Sequence, residues 1–445
     1  MMLYTFNPEK MMREKKYQIS KRQLIECLSS ALELINPTVA GHNQRVALFS
    51  KEIAKVMGLS DDAVNEIYYA ALLHDIGAAP LTIREKNDLI EFDVNMPYKH
   101  CLIGYLLLKD YKPFQKIAEI VHYHHSNWLY GANRTFDGEM IPVGSYIIHL
   151  ADRVDILIRQ NQHILLQNHK ITDYIKSRVG SVFAPDAVAA LEVLSTQEYF
   201  WLGATSKSYC NTCMTAKQSE EYITQGDLEQ FTKLVSFVID FKSRFTASHS
   251  CGVSAVARLM GEAFGLSRSD CGELSIAGNL HDLGKLVVPN EVLEKKGALN
   301  TEDEAYIKSH SYFTYSVLSQ VEEISNIASY AAQHHEKIDG SGYPFHIRDD
   351  ELSPQSRLLS VADIFTALAE DRPYRKGMHR EELMAVMYQM AQSKHLDYDM
   401  VKMVDNNFSD FDLKRDSMQQ YAVGKYKNFW KNINRTLAGY REEAG

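Results

Sequence analysis

Cysteine is scarce in this chain, and long apolar runs are missing. Six cysteines in 445 residues do not make a disulfide framework. One close pair, Cys210 and Cys213 in YCNTC, stands alone. A structural zinc site takes about four ligands, so this pair does not suffice for one. No run of about 18 apolar residues occurs, so no transmembrane helix is expected. The opening residues MMLYTFNPEKMMREKKYQ lack the apolar core of a signal peptide. A cytoplasmic protein without membrane contact is the expectation. Excess positive charge is absent too. A formal net charge of −9 argues against a protein that coats a nucleic-acid polymer. It leaves room for a small basic pocket around one anionic ligand. Strand alternation is rare, and no βαβ rhythm appears.

What is present is a length that calls for two or three domains, each able to bury a core without disulfides or structural metals. The chain also repeats itself. Residues 67–77 read IYYAALLHDIG and residues 274–284 read LSIAGNLHDLG. Both predict an apolar helix that reaches His-Asp and is stopped by glycine. His42, His74 and Asp75 each lie 207 residues before His249, His281 and Asp282. His100, His124 and His125 lie 210 before His310, His334 and His335, and Asp152 lies 211 before Asp363. Seven chemically matched residues recur in order with little drift, which points to an internal duplication.

The flanking segments are helical in pattern. In ASHSCGVSAVARLMGEAFGL, apolar residues fall at Val253, Val256, Ala257, Met260 and Phe264, one helical face. In SQVEEISNIASYAAQHHE the paired histidines fall near a helix end, and DGSGYP after them predicts a loop. The fold class expected is all-α, two tandem helical bundles with ligands projected inward. The boundaries expected are 1–190 for the first bundle, 191–225 for a linker or insertion, and 226–445 for the second. The C-terminal QQYAVGKYKNFWKNINRTLAGY predicts one more helix.

Imidazole and carboxylate donors suit borderline first-row metals, and one aspartate can bridge two of them. Two cations about 3.5–4 Å apart can lower the pKa of water and clamp a phosphoryl oxygen. Phosphodiester hydrolysis is the chemistry such a pair performs best.

The second half resembles an HD-GYP domain, a subset of the HD phosphohydrolase superfamily, from about Ile239 to Val401. The match runs through IDFKSRFTASHS, HDLGKLVVPNEVL, KSHSYFTYSVL, HHEKIDGSGYP and VADIFTALAEDRPYR. The resemblance implies tandem HD-type bundles and hydrolysis of a cyclic dinucleotide at a centre of two or three iron, manganese or similar ions. It implies that His249, His281, Asp282 and Asp363 hold one metal. Asp282, as the bridge, would join His310, His334 and His335 around the other. Lys285 would offset charge on the reacting phosphate. Arg372 and Arg375 would grip phosphates with their planar forks. Gly340 and the GYP turn would shape the pocket. Three-metal relatives carry a glutamate where this chain has Phe245, so two divalent ions are expected.

The first half resembles an HD domain of the same lineage without GYP. Its set His42, His74, Asp75, His100, His124, His125 and Asp152 is complete and leaves open two further ions. Ala78 replaces Lys285, and Asn161 and Ile164 stand where Arg372 and Arg375 stand. A regulatory, weakly catalytic domain is the expectation. The substrate expected is cyclic di-GMP, with 3′3′-cyclic GMP-AMP as contender, since the tandem layout is similar to members that cleave it. Three other readings stay open: a non-catalytic sensor or scaffold for a diguanylate-cyclase-type partner, an HD phosphohydrolase of other nucleotides, and assembly as a homodimer.

Overall fold

The computed structural model describes residues 16–35, 41–81, 98–131, 135–136, 139–159, 161–205, 223–242, 248–371 and 376–443. Almost all of the regular structure is helical, as the all-α reading expects. The strands among the described residues are two short antiparallel pairs, Lys16–Tyr17 with Ile223–Thr224 and Thr135–Phe136 with Glu139–Met140.

Contacts group the chain into two compact units. The first bundle takes the described residues of Leu28–Ser219 and Ile433–Gly445, and the second those of Met1–Cys27 and Glu220–Asn432. The sequence start therefore belongs with the second bundle. Tyr17, Ile19, Leu24 and Ile25 are buried, and the Tyr17 hydroxyl donates to Glu273 at 3.1 Å. Residues 191–205, placed by sequence in a linker, include the helix Glu198–Thr205. Its Phe200 and Trp201 are buried against Phe49 in the first bundle's core. Apolar burial here outweighs the lack of any match to the other half. Cys210 and Cys213 lie outside the described residues.

The duplicated motif is built twice by the same devices. Ser60 caps the helix Asp61–Leu73, its side chain accepting from the Ala63 amide. Ser267 caps Arg268–Leu280 by accepting from the Asp270 amide. Each cap satisfies an amide that the helix start leaves open, and acidic first-turn residues suit that end. Both helices then run apolar to a His-Asp pair at a 3-10 turn, which begins at His74 in the first bundle and just after the pair, at Leu283, in the second.

The glycine of that turn does not act as a left-handed stop, because neither Gly77 nor Gly284 has positive φ. Proximity demands it instead. A Cβ on Gly77 would lie 1.9 Å from the His100 carbonyl oxygen, and one on Gly284 1.9 Å from that of His310. Glycine lets the His-Asp turn press against the helix carrying the next histidine. Of the apolar stripe on His249–Phe264, Val253, Val256, Ala257 and Met260 are buried. Phe264 is exposed, because the helix ends there at Gly265, φ 90°. The C-terminal helix Phe408–Glu443 docks through Phe429 and Trp430 onto Phe237 and Phe241.

Candidate metal centre

In the second bundle five segments converge. His249 begins the helix His249–Phe264, and His281 and Asp282 follow Arg268–Leu280. His310 lies inside Thr301–Leu318, while Asp363 lies inside Pro354–Ala369. His334 and His335 follow Ser325–Ala332 in a turn, where the backbone has left the helix and both rings can face one centre.

All seven expected ligands come together. His249 Nε2 lies 3.0 Å from Asp363 Oδ1, and His281 Nε2 lies 3.8 Å from the same oxygen. Asp282 presents Oδ2 to His281 Nε2 at 3.3 Å and Oδ1 to His310 Nε2 at 3.6 Å. His310 and His334 meet Nε2 to Nε2 at 3.3 Å, and the His335 ring centroid is 3.9 Å from that of His334. Asp282 thus points one oxygen at each histidine cluster, the placement a bridge requires. Lys285 Nζ donates to Asp282 Oδ2 at 2.5 Å.

Backbone carbonyls set the rings. His281 Nδ1 donates to the Gly278 carbonyl at 2.8 Å, His334 Nδ1 to that of Ala331 at 2.6 Å, and His310 Nδ1 to that of Ile307. Each turns Nε2 inward as the free donor atom. His249 instead has Glu370 Oε2 3.1 Å from its Nδ1, and Gln419 donates to the same oxygen at 2.9 Å.

The residues fit divalent ions. Asp282 Oδ1 is buried without a hydrogen-bond partner, a costly state for a lone carboxylate oxygen and an ordinary one for a metal ligand. Burial holds His310 down to about 3, His335 down to about 4 and His334 well below the usual range, so all three offer lone pairs at neutral pH. Burial also pulls on His249, but Glu370 and Asp363 outweigh it and raise it to about 10. Burial pushes Asp282 up, yet His281 and Lys285 hold it well below the carboxylate range.

The GYP loop folds back on the paired histidines. Glu336 accepts from the Phe345 amide at 2.6 Å and the His346 amide at 3.1 Å. A Cβ on Gly342 would lie 2.4 Å from Glu336 Cα, so the loop needs glycine to lie this close. The Tyr343 ring then sits 4.9 Å from that of His335. Gly340 occupies a left-handed turn, φ 77°, where a Cβ would meet Arg348 Cγ at 2.7 Å, so its observed part is in the turn. Arg372, Arg375 and Phe245 lie outside the described residues.

The first bundle repeats the seven-ligand cluster. His42 Nε2 lies 3.3 Å from Asp152 Oδ1. Asp75 offers Oδ2 to His74 Nε2 at 3.4 Å and Oδ1 to His100 Nε2 at 3.5 Å. His100 and His124 meet Nε2 to Nε2 at 3.0 Å, and His125 Nδ1 lies 3.9 Å from Asp152 Oδ2. The surroundings differ. Arg153 donates to Asp152 Oδ2 at 2.7 Å, and Arg45 Nε to Asp155 Oδ1 at 2.6 Å. Asp155 Oδ2 sits 2.7 Å from His42 Nδ1, doing for His42 what Glu370 does for His249.

Sequence reasoning missed Glu370, Asp155 and Asp240. Asp240 is buried with Oδ1 lacking a hydrogen-bond partner, and burial pushes its carboxyl well above the usual range beside His249 and Asp282. The signal available was IDFKSRFTASHS, which places this acid nine residues before His249.

Comparison with known proteins fits this geometry. The HD domain family matches residues 26–168 and 233–400. A 3′3′-cGAMP-specific phosphodiesterase of Vibrio cholerae is 27% identical over 88% of this chain and 93% of its own length. A second such V. cholerae enzyme is 30% identical over 64% of this chain and 62% of its own. A cyclic di-GMP phosphodiesterase response regulator of Xanthomonas campestris is 34% identical over 41% of this chain and 53% of its own. A crystal structure of a cyclic GMP-AMP phosphodiesterase of V. cholerae has the same fold, with TM-score 0.62 and 22% identity over 89% of this chain and 98% of that one. With both halves matched and both ligand clusters assembled, the chain belongs to the HD domain family.

Proposed function

We propose that the chain is a metal-dependent phosphodiesterase that opens a cyclic dinucleotide to a linear product with a 5′-phosphate, using the second bundle. The observation that carries this reading is the buried Asp282, with one oxygen toward each histidine cluster and Lys285 on its rim. Two divalent ions, manganese or ferrous iron, would be held by His249, His281, Asp282 and Asp363 and by Asp282, His310, His334 and His335. When bound, such ions supply water activation and Lewis-acid polarisation. The protein's own contribution is positioning. Lys285 carries its charge to the cluster rim, 22% exposed, where it can meet a non-bridging phosphate oxygen. Glu336 and Gly342 hold the GYP loop over His335. Arg372 and Arg375 would contact the substrate's phosphates.

Among substrates we favour 3′3′-cyclic GMP-AMP over cyclic di-GMP. The relative matched along nearly all of both chains is named for the former, while the named cyclic di-GMP enzyme of X. campestris matches less than half of this chain. The first bundle, with Ala78 in place of Lys285, serves regulation rather than turnover. Turnover of the purified chain against both substrates, with manganese and ferrous iron supplied separately, tests the reading. Hydrolysis of 3′3′-cyclic GMP-AMP that Asp282→Ala abolishes is the expected result. Undiminished hydrolysis by that variant would refute it.

A further inference from the structure

We propose that the first bundle holds one zinc-class ion in a closed four-donor site made by His100, Cys101, His124 and His125. The proposal stands on the first bundle's own donors and does not depend on the hydrolytic reading of the second. These four side chains are buried, and their donor atoms all lie within 4.8 Å of one another. His100 Nε2 and His124 Nε2 are 3.0 Å apart, and Cys101 Sγ lies 3.8 Å from the first and 3.9 Å from the second. A tetrahedral centre with ordinary zinc–nitrogen and zinc–sulfur bonds spaces its donors by about 3.3–3.6 Å. The three spacings among His100, Cys101 and His124 need only a few tenths of an ångström of adjustment, and His125, within 4.8 Å of the others, closes in by a larger movement. His124 is already oriented, since its Nδ1 donates to the Val121 carbonyl at 2.7 Å and leaves Nε2 facing the centre.

Two contrasts place the ion at this end of the cluster. The carboxylates Asp152 and Asp155 already carry positive charge, from Arg153 and from Arg45 beside the Asp155 that holds His42, while of the four donors His125 alone approaches Asp152, at 3.9 Å. In the second bundle the residue after the matching histidine is Ser311, whose hydroxyl is 3.3 Å from His310 Nε2. A hydroxyl there offers a hard oxygen, a thiolate a soft donor. Thiolate with imidazole selects zinc over manganese, so the two bundles would take different cations from one pool. On binding, the sulfur–metal bond forms as the thiol proton leaves to solvent. Four protein donors fill a tetrahedral shell, so no position is left for a substrate, and the ion would brace the bundle rather than catalyse.

Cobalt(II) reports the bond directly. The full chain, carrying Cys210→Ser and Cys213→Ser to remove the one closely spaced thiol pair, is stripped of metal and loaded with cobalt. Expected is a sulfur-to-cobalt charge-transfer band in the near ultraviolet that zinc displaces and manganese does not. A further Cys101→Ser change removes this band while ligand-field absorption from the remaining sites persists. Absence of the band in the parent, or its persistence after Cys101→Ser, overturns the proposal. Should Cys101→Ser fail to fold, X-ray absorption of the zinc-loaded parent decides. A sulfur neighbour in the first shell, averaged over all zinc sites, supports the site, and an oxygen–nitrogen shell without sulfur sinks it. Neither readout passes through turnover, so failure here and failure of the hydrolytic reading are separate results.

Discussion

Asp282 and Asp75 occupy the same step of the same turn. The Asp282 side chain is 2% exposed beneath Lys285, whereas that of Asp75 is 28% exposed beside Ala78. Each points one oxygen at each of two histidines, with distances that agree within about 0.1 Å. The helices and their carbonyls therefore build the ligand geometry in both bundles. What differs is the ring of groups around it: Lys285, Glu336 and the GYP loop in one, Arg153 and Cys101 in the other. A donor cluster is a matter of scaffold, and reactivity is a matter of its surroundings.

The most severe way to break this comparison is to remove the bridging carboxylates in turn. Asp282→Ala should abolish hydrolysis and lower the bound metal, while Asp75→Ala costs far less; equal losses of turnover would mean that both bundles catalyse. Next comes Lys285→Ala, expected to lower kcat by about 10²–10³-fold while the metal content holds. The reciprocal Ala78→Lys should create no activity in the first bundle, because the GYP loop has no counterpart there. Glu370→Gln should weaken metal binding in the second bundle by about 10–100-fold, read by titration with a chelator. Asp155→Asn should not weaken the first bundle's ion, since His42 is not among its four donors; a matching loss would enlarge that donor set.

Gly77→Ala and Gly284→Ala test what the bundles share. Both would push a Cβ to 1.9 Å from a backbone carbonyl. Each should cost about 1–3 kcal/mol in its own unit, measured by urea unfolding, and a lopsided pair of values would end the claim of a common scaffold. The smallest effect is in pH. Without metal His249 is held protonated up to about 10 by Glu370 and Asp363 against the pull of burial. Ligation requires the neutral ring. Divalent affinity of the second bundle should therefore rise with pH, by up to about tenfold per unit, until that proton is gone. Affinity that stays flat over this range would remove His249 from the ligand set.

The two clusters of seven side chains are legible because their chemistry is duplicated at nearly constant spacing, and helix periodicity places each residue on an element. Glu370 and Asp155 were not legible. They do the same job from different positions, seven residues after Asp363 and three after Asp152, so the repeat conceals them. Cys101 escaped because its counterpart is Ser311, and because cysteine was read through the pair at 210 and 213. The glycine after His-Asp reads locally as a helix stop, but its need arises from a carbonyl 23 residues away in the first bundle and 26 in the second, which no local pattern carries. Phe200 and Trp201 matched nothing in the other half, and burial alone reveals them as core.

Tyr17, Ile19, Leu24 and Ile25, at the far N-terminal end of the described chain, are part of the second bundle. Cutting the gene between the repeats would leave that half without a strand partner for Ile223–Thr224 and without the aromatic hydroxyl that reaches Glu273. Its exposed apolar surface would then favour aggregation, and an inactive fragment would say nothing about the chemistry of the intact enzyme.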